Sequence, residues 1–437
     1  MEGIIMAAQI ILSLSILVGL HELGHLIAAK VFGMRVEKYS IGFPPKIFGF
    51  QYGETEYSIG AIPLGGYVKI SGMIDESMDK EAMAQPPKDY EFRSKPAWQR
   101  LIVMMGGIIV NVITGIFIFI AIVYSYGERF YTMEEVNKHG IRANEIAIDM
   151  GLQTGDKIIG INENPVARFD ELTGSDILLG TDVYYNVSRN GETINIPVPE
   201  DLIERLSDKK NKGLFIQPLI PYEVGEVSKD SEAERMGLKE GDRIISINET
   251  KVTYFNDFDA VKLKYINEPI ELKIERNGEI LMLSGTLPED GMIGFMRVPL
   301  IESSFEQYTL GQAVVKGTDK AFEAVWVNMK GLGKMISGKI DPTKSIMGPI
   351  GIAQIFGGTW DWERFWHLTG LLSMILAFMN FLPIPALDGG HVMFLSYEIV
   401  SGRAPGDKFL EVAQKVGMIF LLALMAFVIG NDILKLF

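Results

Sequence analysis

The sequence predicts an α-helical polytopic membrane protein with four transmembrane helices, a membrane-associated β-sheet and two inserted copies of a small β-rich module. Three observations lead there. Four apolar segments, near 4–29, 101–126, 366–382 and 416–434, punctuate a chain that is 48% hydrophobic yet carries a net charge of -14, so apolar and acidic material are segregated. A run rich in β-branched and aromatic residues lies between the first two segments. A block of sequence then occurs twice between the second and third.

The first segment (residues 1–29) is apolar from Ile4 to Leu20, continues as His21-Glu22-Leu23-Gly24-His25, and resumes as Leu26-Ile27-Ala28-Ala29. The pattern is H-E-x-x-H. On a helix it puts two imidazoles one turn apart on one face, where they can share a zinc, with a glutamate placed to take a proton from a zinc-bound water. A merely solvated His/Glu/His cluster does not suit this setting, because ionisable groups inside an apolar span are costly and need partners or a task. Met1-Glu2-Gly3 offers no basic region and no small-residue cleavage site follows, so a retained membrane helix is expected.

At about 1.5 Å per residue, the first span, the second (98–126, with Trp98 and Arg100 as interfacial anchors) and the fourth (412–437) can cross a core of about 30 Å. The third (362–390) needs an upstream extension. Lys30, Arg35, Lys38 and Lys46, then Lys88, Arg93, Lys95 and Arg100, flank the first connection. The positive-inside tendency puts residues 30–100 and 383–412 in the cytoplasm, and the long 127–360 region and both termini outside.

Within the cytoplasmic segment 30–97, Val36 to Phe43 and Glu54 to Ile59 are strand-like, and Pro44-Pro45, Gly49 and Gly53 punctuate them. A small antiparallel sheet over about 36–72 is expected. Its second half, Ile59 to Val68, is too apolar for a free loop. A sheet dipping into the membrane against the first helix accounts for this, and an ordinary soluble hairpin is the alternative. Residues 73–96 read as a polar connection.

Outside, Met150-Gly151-Leu152-Gln153-Thr154-Gly155-Asp156-Lys157-Ile158-Ile159 returns as Met236-Gly237-Leu238-Lys239-Glu240-Gly241-Asp242-Arg243-Ile244-Ile245, and Arg189-Asn190-Gly191-Glu192 returns as Arg276-Asn277-Gly278-Glu279. Gly-Asp turns into a strand and Asn-Gly makes a hairpin turn. The repeated pattern resembles a PDZ domain, giving one over 127–220 and another over 221–300. Such modules bind chain ends by strand addition; here they could equally be bulky spacers. Residues 301–361 are helical, with many small residues, on the surface or along the membrane.

With no cysteine and five histidines, a metal must be held by His and Asp/Glu. Catalytic zinc takes three protein ligands and keeps one position open. Asp388 is the third candidate, in Asn380-Phe381-Leu382-Pro383-Ile384-Pro385-Ala386-Leu387-Asp388-Gly389-Gly390, where two prolines break an apolar helix and an aspartate follows in a Gly-rich turn. His391 is an alternative ligand; His139 and His367 receive no role. Asn111 reads as an interhelical hydrogen bonder beside a close-packing glycine.

Together, H-E-L-G-H in a first membrane helix, L-G-G-Y-V-K at 64–69, G-x-x-x-N at 107–111 and N-x-x-P-x-P-x-L-D-G-G at 380–390 resemble the site-2 protease family of intramembrane zinc metalloproteases, most of all its sigma-E-regulating bacterial branch with tandem PDZ modules. The resemblance covers essentially the whole chain. It implies Zn2+ held by His21, His25 and Asp388, Glu22 as catalytic base, Asn380 steadying the substrate backbone, and the sheet, with Gly65, Gly66 and Tyr67, engaging substrate as a strand. It further implies a multi-pass protein of the bacterial inner membrane with its PDZ modules periplasmic and its active site toward the cytoplasm. Its substrates would be single-span membrane proteins such as a pre-trimmed anti-sigma factor, or signal-peptide remnants, with the PDZ pair as a size filter. The acidic balance argues against nucleic acid. Two rival readings are a membrane-tethered PDZ scaffold with an inactive metal motif, and a conventional metalloprotease acting outside the membrane.

Overall fold

The structure, a computed structural model, describes residues 2–73, 86–207, 215–338, 341, 343 and 346–434. Much of the polar connection expected at 73–96 therefore lies outside the described residues. The chain divides into a unit of Met1–Gly127 with Gln307–Phe437 and a unit of Glu128–Glu306.

The first unit contains α1 (Glu2–Val31), β1 (Val36–Tyr52), β2 (Thr55–Ile70), α2 (Ala97–Tyr126), α3 (Leu310–Ile336), α4 (Pro349–Phe356), α5 (Trp362–Phe381), α6 (Asp388–Ser401) and α7 (Asp407–Leu434). Among the described residues, three helices (α1, α2 and α7) are long and apolar enough to cross a membrane. The 20-residue α5 is not among them. Glu363, Arg364 and His367 interrupt the apolar character of its first turns.

Helix α2 is the centre of this unit because its small residues let other helices approach closely. A Cβ on Gly24 of α1 would lie 2.2 Å from the Gly106 carbonyl oxygen, so the two backbones touch. A Cβ on Gly115 would meet the Met374 sulfur of α5 at 2.5 Å, and one on Gly317 of α3 would meet the Ile120 Cα at 2.6 Å. The stripe Ala313, Gly317, Ala321 and Ala324 of α3 is buried. Parts of it pack on Phe119 and Val123 of α2, so this helix uses its small residues for helix packing.

β1 and β2 pair antiparallel overall, but they bend and form four lanes rather than a simple hairpin. Tyr39 to Ile41 pair antiparallel with Gly66 to Val68 on one side. On the other side Lys38 to Ile41 lie beside Glu56 to Ile59 with partner numbers rising together, which is the direction of a parallel pair. Phe48 to Tyr52 then pair antiparallel with Thr55 to Ile59. The expected small antiparallel sheet thus holds for the outer lanes and not for the central pair. Met34, Val36, Ile70 and Phe92 pack with Leu26, Ala29 and Val103, fixing the sheet against α1 and α2.

The expected Gly-rich turn after Pro385 is corrected. Asp388 opens α6, and much of the expected 383–412 loop is helical. The Gly pair read as a turn signal serves packing instead: a Cβ on Gly389 would meet the Leu382 carbonyl oxygen at 2.1 Å, and one on Gly390 the Ile384 carbonyl oxygen at 2.7 Å.

In the second unit the sequence repeat becomes a structural one. Lys157–Ile161, Asn164–Pro165, Tyr184–Arg189 and Glu192–Pro197 form a four-stranded sheet, and Arg243–Ile247, Thr250–Lys251, Pro269–Arg276 and Glu279–Thr286 form another with the same strand order. The repeated Gly-Asp and Arg-Asn-Gly-Glu blocks meet in each copy. Arg189 donates to both Asp156 carboxylate oxygens at 2.7 Å, and Arg276 to those of Asp242 at 2.6 and 2.7 Å. The same carboxylates accept from the Gln153 and Lys239 main-chain N–H groups. Each module encloses its own apolar core.

Because the Asp242 side chain is fully buried, Arg276→Met should destabilise the second module by about 3 kcal/mol, the cost of leaving a buried charge without its partner. Differential scanning fluorimetry should show one transition moving down while the rest of the trace stays in place.

Candidate metal centre

Three side chains from two distant parts of the chain converge inside the first unit. His21 and His25, one turn apart on α1, present Nε2 atoms 3.2 Å from each other. The Asp388 Oδ2 atom lies 3.1 Å from His21 Nε2 and 3.3 Å from His25 Nε2. Zinc bonds of about 2.0–2.1 Å in a tetrahedron put neighbouring ligand atoms about 3.3 Å apart, so the three atoms already have the spacing of three tetrahedral corners. Asp388 Oδ2 is also a buried oxygen with no hydrogen-bond donor among the described residues. A cation bound by all three atoms removes that deficit, and the donor set of two imidazoles and one carboxylate suits zinc.

Each ligand is aimed by its own local structure. His25 Nδ1 donates to the Val103 carbonyl of α2 at 2.8 Å, which leaves the Nε2 lone pair for a metal. The Asn111 amide reaches His21 Nδ1 at 3.2 Å. Nitrogen and oxygen of an amide are assigned from such partners, and half a turn of this amide would present Oδ1 to Nδ1–H and free Nε2 for ligation. The two rings sit over Gly107, where a Cβ would lie 2.5 Å from both His21 Cε1 and His25 Nε2. Asp388 reaches them because α5 stops at Phe381 and the 382–387 loop turns the chain, with Ala386 at φ 84° in the left-handed region.

The other expected site residues divide. Glu22 lies beside the sheet edge, its carboxylate near the Val68 main chain. A Cβ on Gly66 would meet the Val18 side chain at 2.7 Å and Glu22 Cγ at 3.3 Å, so the bare glycine lets this edge come up to Glu22. Asn380 places its Nδ2 3.4 Å from His21 Nε2, at the metal centre. Gly65 lies against Phe43, and Tyr67 stacks near Phe43 with Lys38 over its ring. His391 takes no part in the cluster; its Nε2 lies 3.2 Å from the Gln414 amide of α7. His139 and His367 make ring contacts with Tyr254 and Phe119. Asn111, read as an interhelical hydrogen bonder, does join α2 to α1, and its partner is the candidate ligand His21. The one signal for that partner in the sequence was the position of Asn111, four residues after Gly107, on the face that the glycine exposes to α1.

The model of peptidase family M50 matches residues 9–424. The chain belongs to peptidase family M50. It is 29% identical to the regulator of sigma-E protease RseP of Escherichia coli K12, to that of Salmonella typhimurium, and to the regulator of sigma E protease of Haemophilus influenzae, each time over 98% of both chains. Family and relatives make the chain a metalloprotease, and its three long apolar helices make it one equipped for a membrane.

Two substitutions test the centre. Gly107→Ala should empty it, because the added methyl occupies the space of the imidazole edges. Asn111→Ala should weaken zinc affinity by about 10–100-fold, as expected when a ligand loses the partner of its second nitrogen. Zinc titration against a competing chelator measures both.

Proposed function

We propose that this chain is an intramembrane zinc endopeptidase that cuts single-span membrane proteins within the bilayer, with His21, His25 and Asp388 as ligands and Glu22 as general base. The observation that carries the reading is the convergence of the three ligand atoms on helices of otherwise apolar sequence, beside a glutamate and an open sheet edge. Ionisable groups at such depth need partners and a task, and hydrolysis supplies the task.

A zinc bound there would acidify a water and polarise the scissile carbonyl. Glu22 would act as the general base, taking a proton from the attacking water and passing it to the leaving amide nitrogen. Asn380, beside His21, is placed to hold the substrate main chain. A helical substrate hides its carbonyls in i to i−4 hydrogen bonds, so it must unwind before attack. The 66–70 edge offers replacement main-chain partners, and Gly66 lets it lie against Glu22.

In the membrane, α5 joins α1, α2 and α7 as a fourth span, with residues 30–100 and 383–412 on the cytoplasmic side, the metal centre lying toward that side of the bilayer, and the two repeated modules, both of PDZ type, outside. The exposed Ile47, Phe48, Phe50 and Tyr52 of the sheet suit insertion into the cytoplasmic interface. Substrates are anti-sigma-type single-span proteins already trimmed outside, or signal-peptide remnants, and the paired modules hold back intact ectodomains. The relatives' name, regulator of sigma-E protease, supports the anti-sigma-type substrate, and the setting is a bacterial inner membrane.

Glu22→Gln should keep zinc near one per chain and lower cleavage of a single-span model substrate by about 10²–10⁴-fold. Wild-type cleavage by that variant would remove Glu22 from the mechanism.

A further inference from the structure

The sheet is attached to α1 at two levels. At its base, Met34, Val36 and Ile70 pack with Leu26 and Ala29 of α1. Two residues before His21 the attachment changes in kind: the Tyr39 hydroxyl donates to the Gly19 carbonyl at 2.7 Å. Among the described residues, Tyr39 is the one side chain of β1 and β2 that hydrogen-bonds to α1. Gly19 makes room for this contact. A Cβ there would stand 3.0 Å from Ile41 Cδ1 and 3.5 Å from the Tyr39 hydroxyl oxygen.

The contact belongs to a closed circuit. Tyr39 pairs in the sheet with Val68, whose main chain lies near the Glu22 carboxylate. Gly66, on the same lane as Val68, fits against Val18 and Glu22. The route therefore leaves α1 at Gly19, crosses two lanes of the sheet and returns to α1 at Glu22, about 4.5 Å further along the axis. Satisfying a phenol would need only some acceptor. This acceptor sits one turn from Glu22, on the helix that the sheet edge has to face. Apolar packing has no direction and resists sliding poorly, whereas a hydrogen bond fixes a distance and an angle. The Tyr39 ring also packs on Tyr57 of the next lane, with centroids 5.8 Å apart, so a phenylalanine here would keep the packing and lose the fixed point.

We propose that Tyr39 is a positioning residue whose hydroxyl, held by the Gly19 carbonyl, fixes the 66–70 edge along α1 and so selects which amide bond of an unwound substrate meets Glu22. The inference rests on the proteolytic reading above. A substrate strand added at the edge repeats its facing every two residues. An edge free to slide therefore presents, besides the correct bond, the bond two residues away, with the same side-chain face toward α1. Rate suffers as well, because a misplacement of about 1 Å at a reacting bond can cost about 100-fold.

The test uses the full chain, zinc-loaded in lipid nanodiscs, with a single-span model substrate whose products are mapped by mass spectrometry. Tyr39→Phe removes the hydroxyl alone. The expected result is zinc near one per chain, unchanged inhibition by a short hydroxamate that reaches the metal without the edge, and kcat lowered by about tenfold. The deciding readout is a new cut two residues from the wild-type bond. A single cut at the wild-type bond, at whatever rate, would overturn the proposal. Loss of zinc or of hydroxamate inhibition in Tyr39→Phe would also overturn it, because the hydroxyl would then support the fold rather than the register. A zinc-loaded wild type that cuts nothing would overturn the proteolytic reading beneath it.

Discussion

Everything in the first unit depends on how closely α1 and α2 approach. Gly24 and Gly106 bring the two backbones together with no side chain between them. That contact places Gly107 under both imidazoles, sets Val103 O against His25 Nδ1, and brings Asn111 to His21. A larger residue at any of these glycines would separate the helices and scatter the ligands. The same device recurs where α5 and α3 meet α2, at Gly115 and Gly317. In lipid no hydrophobic force drives helices together, so close contact between small residues has to supply the attraction.

The second constraint is the break between α5 and α6. An unbroken helix would carry Asp388 past the metal centre. Pro383 and Pro385 prevent that, and Gly389 and Gly390 let the new helix press against the loop that precedes it. Gly417 of α7 packs on the same loop, against the Pro385 carbonyl. Asp388 is therefore held from both sides, which matters because the atoms of a candidate metal site must be fixed closely for a metal to find its geometry.

Much of this was legible in the sequence because the signals were local. On a helix H-E-x-x-H puts two imidazoles one turn apart with a glutamate beside them, and the Pro/Asp/Gly run marked a chain break carrying a carboxylate. The two Gly-Asp and Arg-Asn-Gly-Glu blocks declared a repeat whose ion pairs the structure then displays. What stayed hidden depends on distant neighbours. Gly389-Gly390 read as a turn because, without the Leu382 and Ile384 carbonyls beside them, glycine suggests freedom rather than contact. The parallel pairing at the centre of the sheet was invisible because nothing in either segment states its partner's direction. Asn111 read as an interhelical hydrogen bonder, and only three-dimensional packing shows that its partner is His21.

The claim on which the account stands is that two imidazoles of α1 and the Asp388 carboxylate bind one zinc together. X-ray absorption at the zinc edge on the full chain, compared with Asp388→Ala, tests it most directly. The account predicts a four-coordinate zinc with two histidine nitrogens and oxygen ligands at about 2.0–2.1 Å, and one fewer protein oxygen in the variant. A six-coordinate site without imidazole scattering, or a wild-type spectrum that Asp388→Ala leaves unchanged, would contradict it.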